Sequence, residues 1–223
     1  MTARNRPSPA SRPTSGEPSV NNEVWWYIAR SSGLIAWAAA LASLLLGMAL
    51  STHALGRRPR RPWLLDVHRY LGGVSVAFVG LHLVALVADN FVHFGVTDLL
   101  IPFATGYRTT AVAWGVLAFW LLAVVELSSL VMHRLPRRAW YGIHLTSYVV
   151  AVAATMHGLY AGTDTTNPLY RWVGLAALGL TGFFTIYRVL APVESRGRNS
   201  TGTKARDYAA HLQVQGPQPP DWL

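Results

Sequence analysis

Five long apolar stretches alternate with shorter polar segments along the chain. They lie at about 24–50, 64–89, 110–132, 140–161 and 169–191. Each has at least 22 residues, and about 20 are enough for a helix to cross a hydrocarbon core about 30 Å thick. Their apolar residues surround the helix rather than forming one stripe, as in helices that contact lipid. The pattern predicts an all-α integral membrane protein, a five-span transmembrane helical bundle.

The two ends of the chain differ from this pattern. Residues 1–22 are rich in Pro, Ser and Arg, and residues 193–223 are polar with several Gly, Gln and Pro. Such compositions bury too little apolar surface to offset the entropy lost on ordering. We therefore expect one transmembrane domain, residues 23–192, between two disordered tails.

The composition favours a membrane protein over a soluble enzyme or a nucleic-acid-binding module. Only 13% of the residues are charged, about half the proportion of a typical soluble domain. The net charge is +9, and the basic residues cluster between apolar stretches, whereas a nucleic-acid binder spreads them over one face. The sequence has no cysteine, which excludes disulfides, iron–sulfur ligation and thiol catalysis.

The distribution of basic residues predicts the orientation, because cytoplasmic loops carry an excess of Arg and Lys. The linkers 90–109 and 162–168 contain only Arg108 between them, and three arginines lie in the first tail, well before the first stretch. Twelve basic residues lie on the other side: Arg57, Arg58, Arg60, Arg61, Arg134, Arg137, Arg138, Arg188, Arg196, Arg198, Lys204 and Arg206. We expect a multi-pass protein of a bacterial-type cell (inner) membrane, with its N-terminus outside and its C-terminus in the cytoplasm.

The outer linker 90–109 is itself apolar. It is too short to cross the bilayer and return. Two interpretations remain open from its sequence: a lid that lies in the interface over the helices, or an ordinary loop with interfacial aromatic residues.

Four histidines lie within two of the stretches. His68 and His82 are fourteen residues apart in the second, and His144 and His157 are thirteen apart in the fourth. At 1.5 Å per residue, His68 and His144 each lie about 6 Å into their stretches, whereas His82 and His157 lie about 27 and 25 Å in. One intervening span makes the two helices run in the same direction. The sequence thus predicts two pairs at matching depths, each able to ligate one haem iron from both sides.

The angular positions of the histidines agree less well with this pairing. Fourteen residues bring His82 to within about 40° of the face of His68, but thirteen leave His157 about 140° from His144 on an ideal helix. The fourth stretch must therefore depart from an ideal helix. A single intramembrane histidine is more often an interhelical hydrogen-bonding group, but four in two pairs of equal depth favour ligation.

Other residues are candidates for contacts with the haems. The haem propionates need cationic partners. Each candidate Arg has an alternative role, because a basic side chain at the end of a span commonly extends its charged group to the membrane interface. The inner candidates are Arg69, Arg137 and Arg138, and the outer ones are Arg30, Arg108 and Arg171. We expect Glu126 to pair with Arg69 or a neighbour. Glycines near the histidines suit either a flat macrocycle or close helix packing: Gly72, Gly73, Gly80, Gly142 and Gly158.

The segment HRYLGG at His68, a second His fourteen residues later and a further pair thirteen apart resemble the ferric reductase-like transmembrane domain superfamily. This superfamily includes NADPH oxidases, ferric-chelate reductases and stand-alone bacterial haem subunits. The resemblance implies a helical bundle with two stacked b haems that pass electrons singly across the membrane. It implies His68, His82, His144 and His157 as their axial iron ligands.

The sequence also departs from that superfamily. Its members commonly have six spans, and five are predicted here. The oxidases and chelate reductases carry a flavin- and nicotinamide-binding domain, whereas about 30 polar residues follow the last stretch here, without a Gly-rich dinucleotide fingerprint. We therefore expect an oxidoreductase-type electron-transfer subunit with a separate donor (a flavoprotein, an iron–sulfur protein or a quinol) and an extracytoplasmic acceptor. The alternatives are a His-lined divalent-metal transporter and a haem-containing subunit of a larger respiratory complex.

Overall fold

The structure, a computed structural model, describes residues 20–51, 61–89, 93–162, 166–190 and 206. All regular secondary structure in these ranges is helical. Most of the two predicted tails lies outside them, but residues 20–22 already belong to the first helix. The elements are α1 (Val20–Ser51), α2 (Arg61–Ala88), α3 (Val96–Leu100), α4 (Thr109–Leu130), a 3₁₀ turn (Met132–Arg134), α5 (Arg137–Leu145), α6 (Ser147–Ala161) and α7 (Pro168–Leu190).

Four of the described helices are long and apolar enough to cross a membrane. They are Glu23–Ser51 of α1, Pro62–Ala88 of α2, Thr109–Leu130 of α4 and Pro168–Leu190 of α7. Each coincides with one of the apolar stretches predicted from the sequence. The chain is therefore a multi-pass membrane protein.

The fourth predicted stretch, 140–161, is divided into α5 and α6 at Thr146. The backbone N–H of Thr146 donates to the carbonyl of Ile143 at 2.9 Å, and its hydroxyl donates to the same oxygen at 2.7 Å. This spacing of three residues is that of a 3₁₀ turn, which winds more tightly than an α-helix. Because the break lies between His144 and His157, it supplies the departure from an ideal helix that the thirteen-residue spacing requires.

The long helices pack as antiparallel pairs, α1 along α2 and α4 along α6. A hydrogen bond of 2.9 Å from Trp37 Nε1 to Thr155 Oγ1 connects α1 with α6. The buried side chains are mostly small, chiefly Ala and Ser with some Val and Thr. Small side chains allow helix backbones to approach closely, which is the usual basis of packing between transmembrane helices.

The chain divides into two compact units, and the first ends at Phe183 within α7. The first unit contains α1 to α6 and the greater part of α7. In the second, the structure describes the end of α7, to Leu190, and Arg206.

The described part of the outer linker folds back along α4. Its short helix α3 buries Leu99, and the carbonyl of Leu100 accepts a 2.8 Å hydrogen bond from Trp120 Nε1. Trp120 lies eleven residues, about 16 Å, along α4 from Thr109. Val96, Ile101 and Phe103 are exposed, as expected of apolar side chains that face lipid or the interface.

Candidate cofactor site between two histidine pairs

The structure brings the four histidines together in the two pairs expected from their depths. The ring centroids of His68 and His144 are 6.0 Å apart, and those of His82 and His157 are 6.3 Å apart. Helix α2 supplies one member of each pair. The other members come from α5 and α6, on either side of the break at Thr146.

The spacing within each pair suits a single metal ion between the rings. A bond from a His nitrogen to a metal is about 2.0–2.1 Å, and this nitrogen lies ~1.2 Å from its ring centroid. Two rings that ligate one metal from opposite sides therefore have centroids about 6.4 Å apart. The observed separations of 6.0 and 6.3 Å are close to this value.

Backbone carbonyls determine the tautomer of three of the histidines. A carbonyl oxygen only accepts, so the ring nitrogen beside it must carry the proton, and the opposite Nε2 keeps a lone pair for a metal. Such an acceptor is the usual outer partner of a ligating histidine. The hydrogen bonds are His68 Nδ1 to Ser43 O at 2.8 Å, His82 Nδ1 to Ala29 O at 2.6 Å and His157 Nδ1 to Ala111 O at 2.8 Å.

The fourth histidine, His144, has different surroundings because it lies on α5. Its ring stacks on Trp140, one turn earlier, with centroids 4.9 Å apart and planes 22° apart. Stacked aromatic rings attract one another and restrict each other's rotation. The inner pair is therefore held by one carbonyl-bonded ring and one stacked ring.

Three glycines that the sequence analysis missed lie against the histidine rings. A Cβ atom at Gly33 would lie 3.1 Å from His82 Nδ1, one at Gly47 3.2 Å from His68 Cε1, and one at Gly115 2.6 Å from His157 Nδ1. Each glycine follows the carbonyl that binds the same ring by four residues. The signal in the sequence was the spacing of Gly33 and Gly47, which are fourteen residues apart like the two histidines of α2.

The glycines chosen from the sequence have other surroundings. A Cβ atom at Gly73, Gly80 or Gly142 would meet nothing within 4 Å. Gly72 contacts the carboxylate of Glu126, whose Oε1 would lie 2.5 Å from a Cβ there. Glu126 thus lies against α2 one turn after His68, while Arg69, its expected partner, is exposed.

A cavity of about 610 Å³ contains both His82 and His157 in its lining. Its size is typical of cofactor and ligand sites. Phe94, Leu99 and Tyr107 of the outer linker also line it, so the described part of this linker forms part of the cavity wall. Sequence analysis did not indicate Tyr170, which lines the cavity and donates a 2.9 Å hydrogen bond to the carbonyl of Gly158.

Two of the three outer arginines chosen from the sequence, Arg30 and Arg108, differ in their contacts. Arg30 lines the same cavity, and its guanidinium carbon lies 5.0 Å from the centroid of the Trp26 ring. Arg108 lines a separate groove, and its Nη1 donates to the carbonyls of Tyr160, Ala161 and Gly162 at 2.9–3.3 Å. These are unpaired carbonyls at the end of α6, so Arg108 caps that helix.

The remaining candidate arginines are exposed: Arg69, Arg137, Arg138 and Arg171. Among the residues that the structure describes, no group of three or more His, Asp or Glu side chains is placed to hold a metal ion. Each histidine pair provides two ligands, the number that an iron already held by a macrocycle requires.

Comparison with known proteins identifies the family. No curated protein and no solved structure matches the chain. The family described as ferric reductase like transmembrane component matches residues 22–155, which extend from α1 to α6, include the first three of the paired histidines and end two residues before His157. Because this match covers more than half of the 223 residues, the chain belongs to the ferric reductase-like transmembrane component family.

Proposed function

We propose that this chain transfers electrons across a membrane through two b-type haems, one ligated by His68 and His144 and the other by His82 and His157. The observation that carries the proposal is the presence of two imidazole pairs at the spacing of a shared metal ion. Membership of the ferric reductase-like family supports electron transfer as the activity.

The residues present fit a haem at each pair. A bound haem supplies one-electron chemistry at its iron, and the protein determines the ligands and the polarity around it. The carbonyls of Ser43, Ala29 and Ala111 keep the proton on Nδ1, so each Nε2 would have a lone pair with which to hold a haem iron. Gly33 and Gly115 leave room beside the outer rings, and the 610 Å³ cavity at His82 and His157 surrounds the ligands with mainly apolar side chains.

Two sites in series also suit the thickness of the membrane. His68 and His82 are fourteen residues apart on one helix, a rise of about 21 Å. A hydrocarbon core is about 30 Å thick. A haem site near each face of the membrane therefore divides the distance that an electron must cover into shorter steps. A single haem site would leave a long stretch of hydrocarbon core to be crossed in one step.

The proposed topology has five crossings, with α5 and α6 together as the fourth. Helix α6 has 15 residues, fewer than the ~20 that cross a bilayer, but α5, Thr146 and α6 span residues 137–161 without a gap. The arginine-rich linkers then lie in the cytoplasm and the N-terminus lies outside. Electrons enter at the His68–His144 haem and leave at the His82–His157 haem.

The proposed donor and acceptor are separate molecules. A flavoprotein, an iron–sulfur protein or a membrane quinol reduces the inner haem, and an extracytoplasmic acceptor oxidises the outer one. Residues of the outer linker line the cavity of His82 and His157, which supports this linker as the proposed lid, and the acceptor approaches the outer haem through or beside it.

The test is the haem content of the purified, fully loaded protein, measured by absorption spectroscopy and the pyridine haemochrome assay. We expect two b haems per chain. Substituting His68→Ala should remove one haem and His157→Ala the other, with the remaining haem retained in each variant. Fewer than two haems per wild-type chain would contradict the proposal, and a colourless protein that moves divalent metal in liposomes would favour a transporter.

A further inference from the structure

Helix α1 presents the same arrangement twice to the histidines of α2. At the outer level, the Ala29 carbonyl accepts from His82 Nδ1, and Gly33 lies beside that ring. Fourteen residues later, the Ser43 carbonyl and Gly47 contact His68 in the same way. At the residue that carries the carbonyl, the two levels differ because a hydroxyl is present at residue 43 and absent at residue 29. The outer level has instead the Ser32 hydroxyl, which donates to the Ala29 carbonyl at 3.1 Å and does not contact the ring as an acceptor.

The Ser43 hydroxyl contacts His68 both as a hydrogen-bond donor and as an acceptor. It donates to the backbone carbonyl of His68 at 3.1 Å, and its oxygen lies 3.0 Å from His68 Nδ1. The ring proton already lies on Nδ1, since the Ser43 carbonyl accepts it at 2.8 Å. With the hydroxyl hydrogen occupied by the carbonyl of His68, the lone pairs of Oγ face the ring N–H. His68 Nδ1 thus has two acceptors.

Burial makes this second acceptor effective. Ser43 is 8% exposed, so bulk water does not compete for its hydrogen bonds, and a hydrogen bond in a low-dielectric interior is electrostatically stronger than one in water. An acceptor at Nδ1 raises the basicity of a ligating histidine. A more basic ligand donates more electron density to the iron and stabilises its ferric form.

We propose that Ser43 is a positioning residue that lowers the midpoint potential of the inner haem through His68. The inference rests on the proposed function, because it requires a haem at His68 and His144. It adds a difference between the two sites: the hydroxyl lowers the potential at the proposed entry site, and no hydroxyl does so at residue 29 beside the exit site. A lower potential at entry favours electron flow from the inner haem to the outer one.

The experiment is a spectroelectrochemical titration of the purified holoprotein, with Ser43→Ala compared with wild type. We expect Ser43→Ala to favour the ferric form of the inner haem less, by up to about tenfold in the redox equilibrium constant. The midpoint potential of the inner haem should therefore rise by up to about 59 mV, the value of a tenfold change for one electron. The outer haem should keep its potential. Repeating the titration in a His157→Ala background, which retains the inner haem, identifies which haem has shifted.

The matched control is Ser75→Ala on α2. Ser75 is fully buried, and its hydroxyl donates to the Leu71 carbonyl on its own helix at 2.9 Å, so this change removes a buried hydroxyl that has no bond to a histidine. We expect no shift in either potential. Equal shifts in the Ser43 and Ser75 variants, or no shift in Ser43→Ala, would overturn the inference while two haems per chain keep the proposed function intact.

A second variant keeps the inference testable if Ser43→Ala fails to fold. Ala29→Ser introduces the hydroxyl at the equivalent position beside His82, and we expect the potential of the outer haem alone to fall. An unchanged outer potential in this folded, fully loaded variant would overturn the inference. A wild-type protein without haem would instead overturn the proposed function, and the inference with it.

Discussion

Gly115 of α4 lies so close to His157 of α6 that a Cβ atom at residue 115 would lie 2.6 Å from the ring Nδ1. The ring cannot simply turn away, because its Nδ1 donates to the Ala111 carbonyl one turn earlier on α4. The His157 ring can therefore occupy this position only because residue 115 has no side chain. Gly33 and Gly47 have the same relation to His82 and His68, with more room.

We predict that Gly115→Ala causes loss of most of the outer haem. The added methyl group must displace the imidazole or separate α4 from α6, and either change moves Nε2 from its ligating position. The inner haem, at His68 and His144, should be retained. The pyridine haemochrome assay should thus give close to one haem per chain instead of two.

The control for this substitution is Gly80→Ala on α2. A Cβ atom at Gly80 would meet nothing within 4 Å, and replacing a helical glycine by alanine ordinarily stabilises a helix by roughly 0.5–1 kcal/mol. We expect two haems and equal or higher thermal stability. Two haems per chain in Gly115→Ala would contradict the prediction. This result would mean that the residues around His157 can move enough to accommodate the methyl group.

The helices and the depths of the histidines were predictable because both depend on periodicity along one segment. An apolar stretch of about 20 residues and a rise of 1.5 Å per residue are enough to place His68 beside His144 and His82 beside His157. The break at Thr146 was required by the angle between the histidines of the fourth stretch, but its position was not predictable. It depends on a hydroxyl that bonds locally to a carbonyl, and such residues are common inside helices that remain unbroken.

The surroundings of the histidines were harder to predict because they come from other helices. Gly115 and the Ala111 carbonyl lie more than 40 residues from His157 in sequence, and nothing in an α4 of almost uniform hydrophobicity indicates which face meets α6. Arg108 shows the same limit. Its place beside an outer span end suggests a propionate partner, which stays a prediction, but nothing in the sequence indicates the hydrogen bonds with which it caps α6.

We predict that an alanine inserted between Thr146 and Ser147 disrupts one haem site. One added residue rotates α6 by about 100° relative to α5 and shifts it by about 1.5 Å, so His144 and His157 no longer face α2 together. The expected result is loss of at least one haem per chain. The same insertion between Thr166 and Asn167, in the connection before α7, should leave two haems, and unchanged haem content after insertion at Thr146 would contradict the role given to the break.

We predict different effects for substitutions at Arg30 and Arg108. Arg30 lines the cavity of His82 and His157, and a nearby positive charge stabilises the reduced iron, so Arg30→Gln should lower the potential of the outer haem. Arg108→Gln should cost about 1 kcal/mol of stability through the lost cap of α6, without a shift in potential. Redox titration and thermal unfolding measure the two effects, and Arg171→Gln, at an exposed arginine, is the control.

The absence of cysteine from the sequence allows the topology to be tested with single introduced thiols. We predict that Ser8→Cys, before α1, reacts with a membrane-impermeant maleimide in intact cells. Ser200→Cys, after α7, should react only after the membrane is permeabilised. The positive-inside rule gives this result for five crossings, because an odd number places the two ends of the chain on opposite sides.

The two ways in which this labelling prediction can fail have different meanings. Reversed reactivity would retain five crossings but place the arginine-rich linkers outside, and the His82–His157 haem would then be the entry site. Reactivity of both thiols on the same side would require an even number of crossings. Because α1, α2, α4 and α7 are each long enough to span, that result would mean that α5 and α6 do not cross together, and the parallel course of α2 and α6 on which both histidine pairs depend would have to be abandoned.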